Sequence, residues 1–320
     1  MMTLSKLAKL ANVSVSTASK AFSGSTEVSE ETRNMIFNIA RENHCFRKFY
    51  NAKYPKMVIA IIAPEFNGAY YTRYLCAIQD ELKNANCEMC FSTTNFSQDI
   101  ESNLLEYYCR YANVDGIIII GSFSDSIPEQ DIPVVFINPA NPQQDCISVS
   151  NDLTTATRQA AAYLQSKQVC SVGFIGEPLT ERKQAFFQQA LEEVGVPLKE
   201  KYISISQDRF EKGGYSAMEQ LFARKQLPRA IACAYDHMAI GAIRCIYDHG
   251  LTVPEDVAVV GFDDIAQASF LNPPLASISS SVEDVCKIAT QTLIQKINGE
   301  QISQHQSIPA EFKLRHSFQL

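Results

Sequence analysis

Six continuous apolar runs limit what this chain can fold into more than any other feature. The first is MVIAIIAPE, starting at Met57; the others cover residues 116–120 (GIIII), 133–137 (PVVFI), 172–175, 230–234 and 257–262. Runs this short, with no polar residue on every second position, mark strands buried on both faces. Helical stretches lie between them, over residues 74–85, 155–165, 183–193, 214–224 and 238–249. Strand–helix alternation of this length predicts parallel sheets with right-handed crossovers. About 260 residues suit two doubly wound parallel-sheet subdomains better than one. Ligands of such folds bind beyond the carboxyl ends of the strands, and a cleft between two subdomains is the natural place.

The first 22 residues, MMTLSKLAKLANVSVSTASKAF, have a different character. Leu4, Leu7, Ala8, Leu10 and Ala11 fall at helical spacing. Asn12 suits a left-handed turn residue, and Ser14 suits the N-cap of a second helix running to about Phe22. That helix is polar on one side, with Ser14, Ser16, Thr17, Ser19 and Lys20. Short hydroxyls and one long cation suit a helix that enters a DNA groove; an ordinary helical hairpin is the competing reading. Charge favours the first. The chain is net −7, yet residues 1–56 hold nine of the 28 Lys and Arg and only four of the 35 Asp and Glu. A head of +5 on a body of −12 fits a DNA-binding segment joined to a separate module.

Other classes find little support. The N-terminus lacks the apolar core of a signal peptide, and no apolar run approaches membrane-spanning length. Ten cysteines follow no disulfide frame, which suits a reducing cytoplasm. Cys87 and Cys90 form a lone C-x-x-C in a strand-like segment, where residues three apart face opposite ways, so core packing is the expectation. The five histidines (His44, His237, His249, His305 and His316) show no metal spacing, and no metal or cofactor is expected. Dinucleotide, P-loop, nucleophile-elbow and zinc-protease motifs are all absent, so the chain reads as a non-enzyme.

Residues 28–43 read as a third helix capped by Ser29, with Met35, Ile36, Ile39 and Ala40 on its apolar stripe. Residues 44–56, HCFRKFYNAKYPK, read as a basic, aromatic linker. Taken together, LSKLAKLANVSVSTASKAF, VSEETR, AIGAIRCIYDHGLTVPEDVAVVGFDDI and FLNPPLASI stand in an order that resembles the LacI/GalR family of bacterial transcription regulators over nearly the whole chain. The resemblance implies a small all-α helix-turn-helix headpiece over residues 1–45 and a hinge over 46–56. It also implies a periplasmic-binding-protein-like body over 57–320, in which 57–167 with 283–311 form one subdomain and 168–282 with 312–320 the other.

The resemblance further implies a repressor, controlled by a small molecule, that binds a palindromic operator as a homodimer. Its base-reading positions correspond to Val15, Ser16 and Lys20, and its phosphate contacts to Ser14, Thr17, Ser19 and Thr32. At the hinge, Lys48-Phe49 replaces Pro-Asn and Pro55 takes the place of the minor-groove leucine; Lys53, Tyr54 and Pro55 are the residues that would meet DNA. Effector positions correspond to Tyr70, Tyr71, Lys183, Phe210, Tyr235 and Asp263, where Lys183 replaces an arginine and Tyr235 an asparagine. Aromatic rings with one carboxylate and one ammonium suit a sugar or a nucleobase-like ring. A body that binds a corepressor protein is the alternative. A sugar-binding transport protein is disfavoured by the basic headpiece and the missing signal peptide.

Overall fold

The structure, a computed structural model, describes residues 2–50, 56–67, 69–122, 132–140 and 146–320. Hinge positions Lys53, Tyr54 and Pro55 lie outside the described residues. The N-terminal segment forms helices α1 (Leu4–Leu10), α2 (Val15–Phe22), α3 (Glu30–Glu42) and the short α4 (Phe46–Phe49). Asn12 turns the chain between α1 and α2 with φ at 51°, as expected of a residue that tolerates left-handed backbone. Ser14 caps α2 by accepting from the Thr17 N–H at 3.0 Å, and Ser29 caps α3 by accepting from the Thr32 N–H at 3.2 Å.

Leu7, Ala21, Phe22, Val28, Ile36 and Ala40 form the headpiece core. Met35, expected on the buried stripe of α3, is exposed, and Phe37 packs against the core instead. The start of the expected linker also differs from its reading. Phe46 is buried in this core, and Phe22 lies 5.9 Å from Phe46 and 5.8 Å from Phe49, centroid to centroid. A three-helix module this small has little apolar surface to bury, so aromatic side chains from the following segment complete it.

Beyond the headpiece come β1 (Val58–Ala63), α5 (Ala69–Asn84), β2 (Glu88–Thr93), α6 (Gln98–Arg110), β3 (Gly116–Ile120), β4 (Val134–Ile137) and β5 (Ile147–Asp152). Next are α7 (Thr154–Ser166), β6 (Val172–Gly176), α8 (Glu181–Glu193), β7 (Ile203–Ile205), α9 (Phe210–Ala223), β8 (Ala230–Cys233), α10 (Asp236–Asp248), β9 (Ala258–Phe262) and β10 (Ala276–Ser279). The chain ends with α11 (Val282–Ile297), β11 (His305–Pro309) and β12 (Glu311–Lys313). Two compact units result: residues 1–150 with 286–306, and residues 151–285 with 307–320.

The first unit's sheet has the order β11-β5-β4-β3-β1-β2, and the second unit's β12-β10-β9-β8-β6-β7. Strands β1 to β5 pair in parallel, as do β6 to β10, while β12 runs antiparallel to β10. Both sheets therefore share one doubly wound order, second-first-third-fourth-fifth, and each has a switch point beside its first strand. Every residue of β3, β4, β6, β8 and β9 is buried, as the apolar runs predicted. Among the described residues, no helix is long and apolar enough to cross a membrane.

In the second unit, α9 and α10 pack backbone to backbone. A Cβ at Gly214 would sit 1.9 Å from the Met238 carbonyl oxygen, and one at Gly241 1.9 Å from the Glu211 carbonyl oxygen. Only glycine permits that approach. Asp236, the first residue of α10, is fully buried; its carboxyl accepts from Ser277 Oγ at 2.7 Å and from the Ile265 N–H at 2.8 Å. The side chain thus joins α10 to β10 and to the turn after β9.

Two outcomes are expected from this packing. Phe46→Ala removes a core ring and should cost about 3–5 kcal/mol. The headpiece should then be digested by protease while the calorimetric transition of the second unit stays in place. Burial, aided by the Asp263 carboxylate, pushes the Asp236 pKa from 3.8 up to about 8. The folded chain then keeps a proton that the unfolded chain releases, so this group lowers stability progressively as pH rises from 3.8 to about 8. Asp236→Asn should flatten the fall of Tm across that window, measured by calorimetry. Parallel curves for the two proteins would show that Asp236 is ionised in the fold.

Candidate functional site

Two groups of residues have the makings of sites, one in each chemical style the sequence predicted. On α2 the small residues Ala18 and Ala21, with Phe22, face the core. The opposite face shows Val15, Ser16 and Ser19 to solvent, with Lys20 partly exposed beside them. This is the face expected to read DNA, and helical periodicity alone places it there. Ser14 Oγ lies 2.8 Å from Thr17 Oγ1 at the head of α2, and Ser29 Oγ donates to Thr32 Oγ1 at 2.8 Å at the head of α3. Both helix starts therefore present hydroxyls beside backbone N–H groups, the arrangement that suits an anionic oxygen.

Lys20 carries a feature the sequence reading missed. Its ammonium donates to Glu27 in the loop after α2, at 2.5 Å. Arg33 holds that loop by donating to the Ser25 carbonyl at 2.6 Å. The Lys20–Glu27 pair is exposed on both sides, so it contributes between nothing and about 1 kcal/mol and yields readily to a stronger acceptor.

The second unit brings four of the six expected effector residues together. Lys183 lies on α8 after β6, Phe210 begins α9 after β7, Tyr235 precedes α10 after β8, and Asp263 follows β9. All four follow the carboxyl ends of adjacent parallel strands, the edge where doubly wound folds bind ligands. Lys183 Nζ donates to Asp263 Oδ1 at 2.7 Å, with the lysine side chain 21% exposed and the aspartate 5%. Ser280 Oγ donates to the same carboxylate oxygen at 3.3 Å. The lysine ammonium also lies 5.5 Å from the Phe262 ring centre and 6.0 Å from that of Tyr235. The Tyr235 hydroxyl accepts from the Phe210 N–H at 3.0 Å, and the two rings meet edge to face at 6.0 Å. Burial raises the Tyr235 pKa, so the phenol is neutral at physiological pH.

Arg209 and Glu177 extend this group and were not anticipated. The Arg209 guanidinium stacks over Phe210 at 4.8 Å and lies 3.8 Å from the buried Glu177. Position gave a signal: Glu177 directly follows β6, and Arg209 precedes Phe210. The adjacent aspartates of GFDD divide their roles. Asp263 meets Lys183, whereas Asp264 accepts from Lys313 at 2.7 Å and from Arg315 at 2.6 Å. Burial works against the Asp264 carboxylate, but those two cationic donors outweigh it and hold its pKa below the usual range. Asp264 therefore ties down the C-terminal segment, and Asp263 lies with Lys183 at the carboxyl edge of the sheet.

Tyr70 and Tyr71 belong to the first unit, at the start of α5 after β1. Their rings meet at 5.1 Å; Tyr70 donates to the Tyr74 hydroxyl at 3.3 Å, which also accepts from Asn138 at 2.9 Å. Tyr74 is fully buried, so one half of this aromatic group is core and the other half partly open.

Residues 3–44 match the family of bacterial regulatory proteins of the lacI type, and residues 161–318 match a periplasmic binding protein-like domain. The chain is 28% identical over 338 residues to the probable HTH-type transcriptional repressor ExuR of Bacillus subtilis, covering 99% of this chain and 98% of that one. It is 28% identical over 312 residues to the HTH-type transcriptional repressor CytR of Escherichia coli, covering 94% and 91%. The solved complex of the transcriptional regulator CelR with cellobiose superposes with a TM-score of 0.72 at 25% identity, over 99% of this chain and all of that one. The chain thus joins a lacI-family helix-turn-helix segment to a periplasmic binding protein-like domain, and the relatives it matches over nearly their whole length are HTH-type transcriptional repressors.

Proposed function

We propose that this repressor reads a palindromic operator as a homodimer, in the cytoplasm, and that a sugar or similar polyhydroxylated ring sets its DNA affinity. The observation that carries the ligand half is the Lys183–Asp263 pair at 2.7 Å, walled by Phe210 and Tyr235 at the carboxyl edge of a parallel sheet. A carboxylate accepts ring hydroxyls, an ammonium donates to others, and aromatic faces cover the apolar C–H surface of a sugar. Lys183 supplies a point charge rather than the bidentate fork of an arginine, so it can donate to a single ligand oxygen without requiring the planar geometry of a carboxylate. The relative solved with cellobiose adds support from a similar fold.

On the DNA side, Val15, Ser16 and Lys20 are assigned to bases, and Ser14, Thr17, Ser19 and Thr32 to phosphates. Lys20 exchanges Glu27 for a guanine edge, and Val15 offers apolar surface to a thymine methyl. The hydroxyl-bearing helix starts set register on the backbone. For the ligand to act, it must bind two arrangements of the body with different affinity.

Lys20→Ala should lower affinity for the cognate operator by about 1–3 kcal/mol, or roughly 5- to 150-fold, while weak, salt-dependent binding to random DNA persists. Fluorescence anisotropy against both duplexes measures this, and undiminished discrimination would remove Lys20 from the reading role. Asp263→Asn should abolish the rise in Tm that a bound sugar causes in the parent, read across a carbohydrate panel, with operator binding retained. An unchanged rise would place the ligand elsewhere.

A further inference from the structure

At the far ends of α9 and α10, away from Phe210 and Tyr235, three side chains that neither proposed site uses converge. Glu219 comes from α9, and Cys245 and His249, four residues apart, from the end of α10. The close crossing at Gly214 and Gly241 sets how near these helices run. Cys245 Sγ lies 3.5 Å from Glu219 Oε1 and 3.8 Å from His249 Nδ1, and that nitrogen lies 3.6 Å from Glu219 Oε1.

A tetrahedral zinc ion takes sulfur at about 2.3 Å and imidazole nitrogen or carboxylate oxygen at about 2.0–2.2 Å, which sets S···N and S···O edges of about 3.5–3.7 Å and an N···O edge of about 3.4 Å. The triangle in this protein matches one face of that tetrahedron to within a few tenths of an ångström. A ring stack sets the plane of the imidazole: Phe222 lies parallel to His249 at 3° and 3.9 Å. Cys245 is buried, while Glu219 and His249 are open to solvent on one side, so a fourth ligand position can hold water. We propose that Glu219, Cys245 and His249 form a zinc site.

Thiolate, imidazole and carboxylate together select zinc over magnesium or calcium, which take oxygen ligands. Without metal, burial first and then the Glu219 carboxylate push the Cys245 thiol up to about 12, so it is neutral. Crowding of sulfur against carboxylate is what a dication relieves, and on binding the thiol proton leaves to solvent. His249 Nδ1, now 3.0 Å from the Cys245 carbonyl oxygen, gives up that contact, and its proton moves to Nε2. The ion would then clamp α9 to α10, the helices that carry Phe210 and Tyr235 at their other ends.

The full chain, tag-free and stripped with chelator, is titrated with zinc by calorimetry and loaded separately with cobalt(II). One zinc per chain is expected, with a Tm higher by on the order of 5 °C at saturation. Cobalt(II) should show a thiolate charge-transfer band in the near ultraviolet and the intense visible bands of a tetrahedral site. Cys245→Ser, close in size to the parent residue, should lose the charge-transfer band; Glu219→Gln and His249→Gln should lose the stoichiometric zinc, each with an unchanged circular dichroism spectrum. Absence of stoichiometric binding in the parent overturns the proposal. So does equal zinc affinity in Cys245→Ser.

Discussion

A parallel strand covered on both faces has no exposed flank on which to carry a charge. In this chain β3, β4, β6, β8 and β9 are buried along their whole length, so polar chemistry can begin only where a strand ends. Because the strands are parallel, their carboxyl ends and the connections that leave them lie along one edge of the sheet. Lys183, Phe210, Tyr235 and Asp263 follow four different strands, up to 80 residues apart, yet meet because those strands are neighbours. The polar carboxyl edge is a consequence of the fully apolar strands, and its charges are the residues that strand burial excludes.

The carboxylates near that edge show how environment separates roles among identical groups. Asp236 is enclosed by α10, β10 and the turn after β9, and is held by a hydroxyl and one N–H; burial favours its neutral form. Asp264 receives two cationic donors and stays ionised. Asp263, beside Asp264 in sequence, is itself buried and accepts from one partly exposed lysine and from Ser280. Only the last pairs with a cation of the proposed ligand site, Lys183.

Small residues shape the headpiece in a similar way. Ala18 and Ala21 let α2 sit close to its neighbours, and the exposed face is left to Val15, Ser16, Ser19 and Lys20. The Lys20–Glu27 contact holds the lysine weakly, at an energy low enough for the exchange proposed for it on DNA.

Local rules made much of this legible in the sequence. The left-handed Asn12, the Ser14 and Ser29 caps, the strand runs and the polar face of α2 each depend on a few consecutive residues, so periodicity and turn chemistry suffice to find them. Recruitment of Phe46 into the headpiece core was not legible, because an aromatic linker reads the same whether or not it packs. Pairing was not legible either. Lys183 with Asp263, Lys20 with Glu27, and Glu219 with Cys245 join residues 80, 7 and 26 apart, and no spacing rule on one element connects them. The sequence by itself determined which elements form and which side chains they leave exposed, since those follow from short-range sterics and apolar pattern. Only the tertiary structure decided which charges meet, because that depends on strand order and on how closely glycine lets two helices approach.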